Sequence, residues 1–524
     1  MSGRFTIRVT HIVVCLVTLP ILLQGCGTDR NSSTTNTGGE PPCADREFRA
    51  VWVATVNNID WPDKPGLTSA EQQREARIIL DSAAALGLNA VVLQVRPQCD
   101  AIYPSAIEPW SCFLTGEEGK APDSLYDPLA FWIEEAHNRG LELHAWFNPY
   151  RAHLAHCGAM TDSCVVRKHP GFVRRLPDST YWLDPGDPAV QEYSWRVVMD
   201  VVRRYDIDGV QFDDYFYPYG DGSFPDDTTW QIYRNAGGAR TRNDWRRENI
   251  NSLVRHVYAG IKAEKRHVKF GLSPFGIWRP GFPRSIAGFD QYNNLYADAR
   301  LWLNEGWVDY WSPQLYWPTT QIPQSYPVLL GWWEKENTHH RHLWPGLFTS
   351  RLASAGGLQE LTSEIMVERG FVPEAPGHIH FSMRAFLRDS SLLMSGLRHG
   401  PYRRQALVPP SPWLGDNAPE TPHIAVQPDS ATVSVSWSVP DSAEIFRWVV
   451  YVHYGTSWDY LIFNRHDGGT TLQRERIVES HVRRQDTLDV TQTPVEHLRA
   501  IEVSAIDRLG NESAHVSWSL TPQP

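Results

Sequence analysis

"DGVQFDDYFYPYG", residues Asp208–Gly220, begins as an apolar, β-branched run and ends in two adjacent aspartates followed by a cluster of rings. Side chains alternate along a strand, so Val210 and Phe212 form one apolar face while Gln211 and Asp213 form the other, leaving Asp214 at the rim. A strand that turns a carboxyl inward at its C-terminal end suits the mouth of a parallel barrel, because such barrels draw their reacting groups from strand ends and the loops beyond them.

Working outward, seven further β-rich runs accompany this one: "FRAVWVATV", "NAVVLQVRP", "LELHAWFNPY", "VKFGLSPFGIW", "VDYWSPQLYW", "HLWPGLFTS" and "HIHFSMRAF". Amphipathic stretches such as "SAEQQREARIILDSAAALG" and "DPAVQEYSWRVVMDVVRRY" separate them, opening on Ser or Asp where an N-cap belongs. Eight βα units predict an α/β chain with a (β/α)8 TIM barrel over 47–405. A doubly wound sheet would need a Gly-rich phosphate turn after its first strand, and "ATVNNIDWP" has none. From 418 to 524 the pattern changes to period-2 alternation with frequent turns, as in "HIAVQPDSATVSVSWSVP" and "RAIEVSAIDRLGNESA", which predicts a small all-β sandwich.

The same face-splitting sends Gln94, Arg96, His144, Trp146, Asn148, Gln211, Asp213, Ser273, Ser312, Gln314, Tyr316, His380, Ser382 and Arg384 to the interior. Polar residues from strands far apart in sequence thus collect toward one end, and burying them without partners would cost roughly 1–3 kcal/mol each. They predict a ligand site. Asp213 is the only acid among them, and Tyr215, Phe216 and Tyr217 beyond it supply rings to wall a cleft that suits sugar faces. Such an acid invites glycosidic cleavage, in which one carboxyl meets the anomeric centre and a second protonates the leaving oxygen. Loop candidates for the second are Asp60, Asp63, Asp100, Asp226, Asp227 and Asp298. The pair His378 and His380 and the run His339–His342 do not form a metal motif at the required place; no metal site, cofactor, P-loop or nucleophile elbow is expected.

The N-terminus predicts export. Arg4 and Arg8 precede a short apolar run ending in "LLQGC", similar to a bacterial lipobox, so 1–25 is read as a lipoprotein signal peptide and Cys26 as the lipidated residue. Residues 26–46, rich in Ser, Thr, Gly and Pro, then form a tether, and the chain is expected in the bacterial cell envelope, facing periplasm or exterior. In an oxidising compartment, closeness in sequence pairs Cys99 with Cys112 and Cys157 with Cys164, leaving Cys43 odd. Net charge of −11, with 49 Lys+Arg against 60 Asp+Glu, argues against nucleic acid as a partner.

Taken in order, "FRAVWVATVNNIDWP", "GLNAVVLQVRPQCDAIYPS", "GLELHAWFNPYR", "DGVQFDDYFYP" and "LYADARLWLNEGWVDYWSPQLYW" resemble the glycosyl hydrolase-like family 10. The spacing of Trp437 and Tyr451 and the "VSAIDRLGNES" ending are similar to a fibronectin type III module. The family resemblance implies a glycoside hydrolase acting on a bacterial envelope glycan, with peptidoglycan strands as substrate class. It further implies that Asp213 or Asp214 is catalytic and that Arg96, Asp100, His144, Asn148, Arg151, Gln314 and Trp317 line the cleft. "PGLFTS" offers no carboxylate where a related barrel clan has one, so a non-catalytic glycan-binding lipoprotein is the alternative.

Overall fold

The computed structural model describes residue 39 and residues 41–520, apart from 125, 353–355, 389, 478–479, 485–486 and 492–494. The signal peptide and Cys26 lie outside the described residues. No helix among the described residues is long and apolar enough to cross a membrane.

Nine parallel strands form the first sheet: β1 (Phe48–Val53), β2 (Ala90–Arg96), β3 (Glu142–Phe147), β4 (Gly209–Phe212), β5 (Lys269–Leu272), β6 (Tyr310–Trp311), β7 (His342–Leu343), β8 (Gly346–Leu347) and β9 (Gly377–His380). Their order is β7-β6-β5-β4-β3-β2-β1-β9-β8. The two ends of this sheet are neighbours in sequence, separated by Trp344 and Pro345, so the sheet closes on itself as a (β/α)8 barrel. Pro345 has no N–H to give, which splits the seventh stave into β7 and β8. Its carbonyl still accepts from Ile379 N at 3.0 Å.

The intervening helices form for local reasons and then bury one face. The helix Ser69–Leu86 opens on a capping box between Thr68 and Glu71 and closes at Gly87, whose φ of 85° favours glycine. The N-cap is therefore Thr68 rather than the Ser that opens the quoted stretch. Asp127 and Asp187 cap Pro128–Asn138 and Pro188–Arg204, each with Pro at the helix start. Ile79, Leu80 and Ala83 of the first helix meet Val51, Val53, Val91 and Leu93 from the outward faces of β1 and β2 in one continuous core.

Inside the barrel, the lower layer is an ion cluster. Lys269 Nζ donates to both Glu142 oxygens at 2.9 and 3.0 Å, and His144 bridges Glu142 Oε2 (3.0 Å) and the Tyr310 hydroxyl (2.9 Å). The imidazole needs a missing side chain opposite it: a Cβ on Gly209 would lie 2.6 Å from His144 Nδ1.

A separate all-β unit follows. His423–Pro428, Thr432–Ser438 and Gly469–Gln473 form one antiparallel sheet, while Ser457–Asn464, Ile445–Tyr454, Val495–Asp507 and Glu475–Ile477 form a second. Val433, Val435, Trp437, Trp448, Val450 and Val503 share a core of their own. The unit docks at the N-terminal ends of the barrel strands. Arg508 Nη2 meets Asp208 Oδ1 at 2.7 Å just before β4, and Trp413 Nε1, in the segment leading to the unit, donates to Asp309 Oδ1 at 2.9 Å just before β6.

Candidate active site

At the opposite end, where the barrel strands finish, a cleft of about 420 Å³ opens. β4 stops at Phe212, and the chain bends at Asp214. Strict alternation ends with the strand, so Asp213 and Asp214 both face the cleft, each almost fully buried. This corrects the placement of Asp214 on the rim.

Asp213 sits in a cradle of donors from β3 and its end. Trp146 Nε1 donates to Oδ2 at 3.1 Å and Asn148 Nδ2 to Oδ2 and Oδ1 at 3.1 and 3.2 Å. Burial raises its carboxyl to about 7; the neighbouring Asp214 adds to the rise, while Arg151, Trp146 and Asn148 oppose it. Asp214 Oδ2 accepts from the Tyr219 hydroxyl. Burial raises this carboxyl too, against the pull of Tyr219, Gln314 and Arg151. The two neighbouring acids thus share a buried floor, and the charge of Asp214 is one of the causes that raise Asp213.

Rings wall the cleft around them. Trp52, Trp146, Tyr215, Tyr219, Phe275, Tyr316 and Phe381 contribute to its lining. Arg151 lies over the Tyr215 ring at 4.4 Å, which fixes both the ring and a positive charge that pulls the Asp213 carboxyl down. Ser273 and Gln314 add to the polar part of the lining with Asn57, Gln94 and His156, and Gln314 Nε2 is anchored on the Ser273 carbonyl at 2.9 Å.

Of the residues assigned from sequence, Gln94, Trp146, Arg151, Asp213, Asp214, Tyr215, Ser273, Gln314 and Tyr316 line the cleft. Asn148 stands directly behind it, holding Asp213. Gln211 is one layer deeper, its Oε1 accepting from Trp52 Nε1 at 2.8 Å. Trp317 packs edge-on against Phe275, 5.5 Å between centroids, and supports that wall without lining it. Three assignments are overturned. His144 is fully buried in the lower ion layer, Arg96 is committed to Glu108 (Nε to Oε2, 2.8 Å), and Asp100 is buried against Gln98 Nε2 at 3.0 Å.

None of the loop acids lines the cleft. Asp60 is locked by Ala54 N, Ser382 Oγ and Arg384 N at 2.7–2.8 Å; Asp226 pairs with Arg242 and Arg246; Asp298 stands at the head of the helix Ala299–Asn304. Asp63 and Asp227 are exposed beside Arg384 and Arg242. Among the described residues, the cleft lining contains two carboxyls, Asp213 and Asp214.

The cysteine pairing is also corrected. Cys112 is joined to Cys157, tying the loop after β2 to the segment after β3, whereas Cys99 and Cys164 are buried thiols. Closeness in sequence misled because the fold brings together two loops whose cysteines are 45 residues apart, and the cross-link joins one loop to the other. Cys43 is itself disulfide-bonded and is not the odd residue.

Sequence reasoning missed Trp52, Tyr219, Phe275 and Phe381. The alternation in "FRAVWV" would have shown Trp52, which shares the inward face with Phe48 and Ala50. The other three lie just past strand ends, where alternation gives no guide.

Residues 47–360 match the model of the family described as "Glycosyl hydrolase-like 10". The chain is 40% identical over 396 residues to the glycosyl hydrolase YngK of Bacillus subtilis (strain 168), covering 73% of this chain and 77% of that protein. It is 38% identical over 360 residues to the glycosyl hydrolase DigH of Escherichia coli (strain K12), covering 63% and 80%. Among solved structures, the PgaB (BpsB) glycoside hydrolase domain of Bordetella bronchiseptica aligns with a TM-score of 0.46 at 14% identity, over 67% of this chain and 99% of that one.

Proposed function

Since this chain belongs to the glycosyl hydrolase-like 10 family, we propose that it hydrolyses O-glycosidic bonds of a bacterial cell-envelope glycan, peptidoglycan strands being the substrate class, and that Asp213 and Asp214 carry the reaction. The observation behind this reading is the pair itself: two buried carboxyls at the floor of an aromatic-walled cleft, one of them raised to about 7. Cleavage needs a proton on the leaving oxygen and negative charge near an oxocarbenium-like centre. The sequence places Asp213 at the anomeric centre, but a carboxyl raised to about 7 holds a proton near neutral pH, so in this reading Asp213 supplies the first and Asp214, oriented by Tyr219 and Gln314, supplies the second. The rings of Tyr215, Tyr316 and Phe381 offer apolar faces on which sugar rings stack.

The absence of a carboxyl facing this pair among the described lining residues favours a second reading, a glycan-binding protein without turnover. Both readings keep the proposed lipid anchor at Cys26 and a place in the cell envelope; acyl chains on an N-terminal peptide beginning at Cys26, seen by mass spectrometry, test that part.

Purified glycan strands incubated with the protein separate the two. On the hydrolase reading, wild type releases new reducing ends while Asp213→Asn binds strands in a pull-down but cleaves roughly 10²–10⁴-fold more slowly. Equal cleavage by Asp213→Asn removes Asp213 from the mechanism. Binding without cleavage across a broad glycan panel establishes the second reading.

A further inference from the structure

Beside the cleft, three buried side chains of metal-ligand type converge and take no part in the chemistry above. Glu118 comes from the loop after β2, His153 from the end of the short strand Arg151–His153, and Cys164 from the head of the helix Val165–Lys168. One carboxylate oxygen, one imidazole nitrogen and one sulfur lie within 4.8 Å of one another. The His153 and Glu118 side chains are each 1% exposed, and Cys164 is fully buried. His153 Nδ1 is 3.1 Å from Glu118 Oε2, while Glu118 Oε1 is held by Thr161 N at 2.9 Å and Thr161 Oγ1 at 3.0 Å. His153 Nε2 is buried with no hydrogen-bond partner among the described residues.

An ion pair needs only His153 and Glu118. The sulfur beside them contributes little to a salt bridge, but it completes a mixed N, O and S donor set of the kind that selects borderline divalent cations over calcium or magnesium. The carboxylate is already oriented by Thr161, as ligating carboxylates are.

We propose that Glu118, His153 and Cys164 form a binding site for a divalent cation of the zinc class. Binding converts the Cys164 thiol to a thiolate bonded to the cation and releases one proton to solvent; no electron is transferred. Three protein ligands leave the fourth tetrahedral position to water. The bound cation draws together the loop after β2 and the segment after β3, whose residues Arg151, Leu154 and His156 line the cleft. It reinforces the same seam that the Cys112–Cys157 bond crosses.

The test uses the full chain with its disulfides intact and no reductant added, incubated under argon with zinc sulfate and freed of unbound metal by gel filtration. Elemental analysis should find about one zinc per chain, as a three-ligand site holds. Cys164→Ser and Glu118→Gln should retain roughly a tenth or less of that, whereas Cys99→Ser should retain it all. Cobalt(II) added to the unaltered chain should give a thiolate-to-cobalt charge-transfer absorption that survives in Cys99→Ser. That measurement does not depend on whether the ligand variants fold. Failure of the unaltered chain to retain zinc, retention undiminished in Cys164→Ser, or a Cys99–Cys164 disulfide in protein taken directly from cells overturns the proposal.

Discussion

Trp146 Nε1 donates to Asp213 Oδ2 at 3.1 Å, so a ring that walls the cleft also fixes the carboxyl at its floor. The bond crosses from β3 to the end of β4, and it favours the ionised form of the acid. Wall and floor are therefore not independent, and a change in one is expected to retune the other.

The first expected outcome is a shift in the pH profile. If Asp213 acts as the proton donor, cleavage falls as pH rises through about 7, because the donor ionises, and falls again in acid as Asp214, itself raised, takes up a proton. Trp146→Phe removes a hydrogen bond to the ionised form, so the pKa rises and the falling limb moves to higher pH. Arg151→Gln removes a positive charge and should move it the same way. Reducing-end release measured across pH 5–9 or so checks both.

Folding stability should carry the same signature. The folded-state carboxyl of Asp213 is raised above its ordinary value of 3.8 to about 7. Stability is therefore lost as pH rises between those two values, since the unfolded chain gives up this proton first. Asp213→Asn escapes the loss and should be more stable than wild type at pH 8 by roughly 1–4 kcal/mol, with the advantage gone near pH 4. Thermal or urea unfolding at the two pH values measures it.

Opening the Cys112–Cys157 bond should cost stability. The two residues are 45 positions apart, and closing a loop of such length contributes about 2–4 kcal/mol. Cys112→Ser should lower the unfolding midpoint accordingly. Peptide mapping without reduction should link Cys112 to Cys157 and show no Cys99–Cys112 bond.

Docking of the C-terminal unit depends on Arg508. Burial pushes the Asp208 carboxyl up, but Arg508 and His137 beside it outweigh that and hold it well below the usual range. A depressed carboxyl stabilises the fold above its unfolded pKa and loses that contribution as pH falls toward the folded value. Arg508→Ala should cost about 1.5–3 kcal/mol at neutral pH, the worth of hydrogen bonds to a charged group. The difference from wild type should shrink as acid protonates Asp208. Calorimetry shows the first effect, and faster proteolysis between barrel and C-terminal unit shows the release.

What could be read from residue order alone follows the reach of local rules. Period-2 alternation holds wherever a strand persists, so Gln211, Asp213, Trp146 and Gln314 were assignable to the interior from their own segments. It does not say how deep a residue lies: His144 obeys the pattern and still ends in an ion layer below the cleft, because Glu142 and Tyr310 hold it there. Nor does it survive the end of a strand, which is why Asp214, Tyr219 and Phe381 needed the fold. Arg96 and Asp100 were removed from the cleft by partners, Glu108 and Gln98, whose proximity arises only from loop geometry.

The chain enters the barrel at the end where the C-terminal unit docks: Arg46 Nη2 meets Glu512 Oε2 at 2.8 Å, and Trp458 Nε1 donates to the Gly39 carbonyl at 2.9 Å. Residue 39 and Arg46 therefore lie on the end of the barrel that the C-terminal unit covers, away from the cleft. The barrel thus keeps its two ends for separate work, one for holding its own chain together and the other for an outside guest.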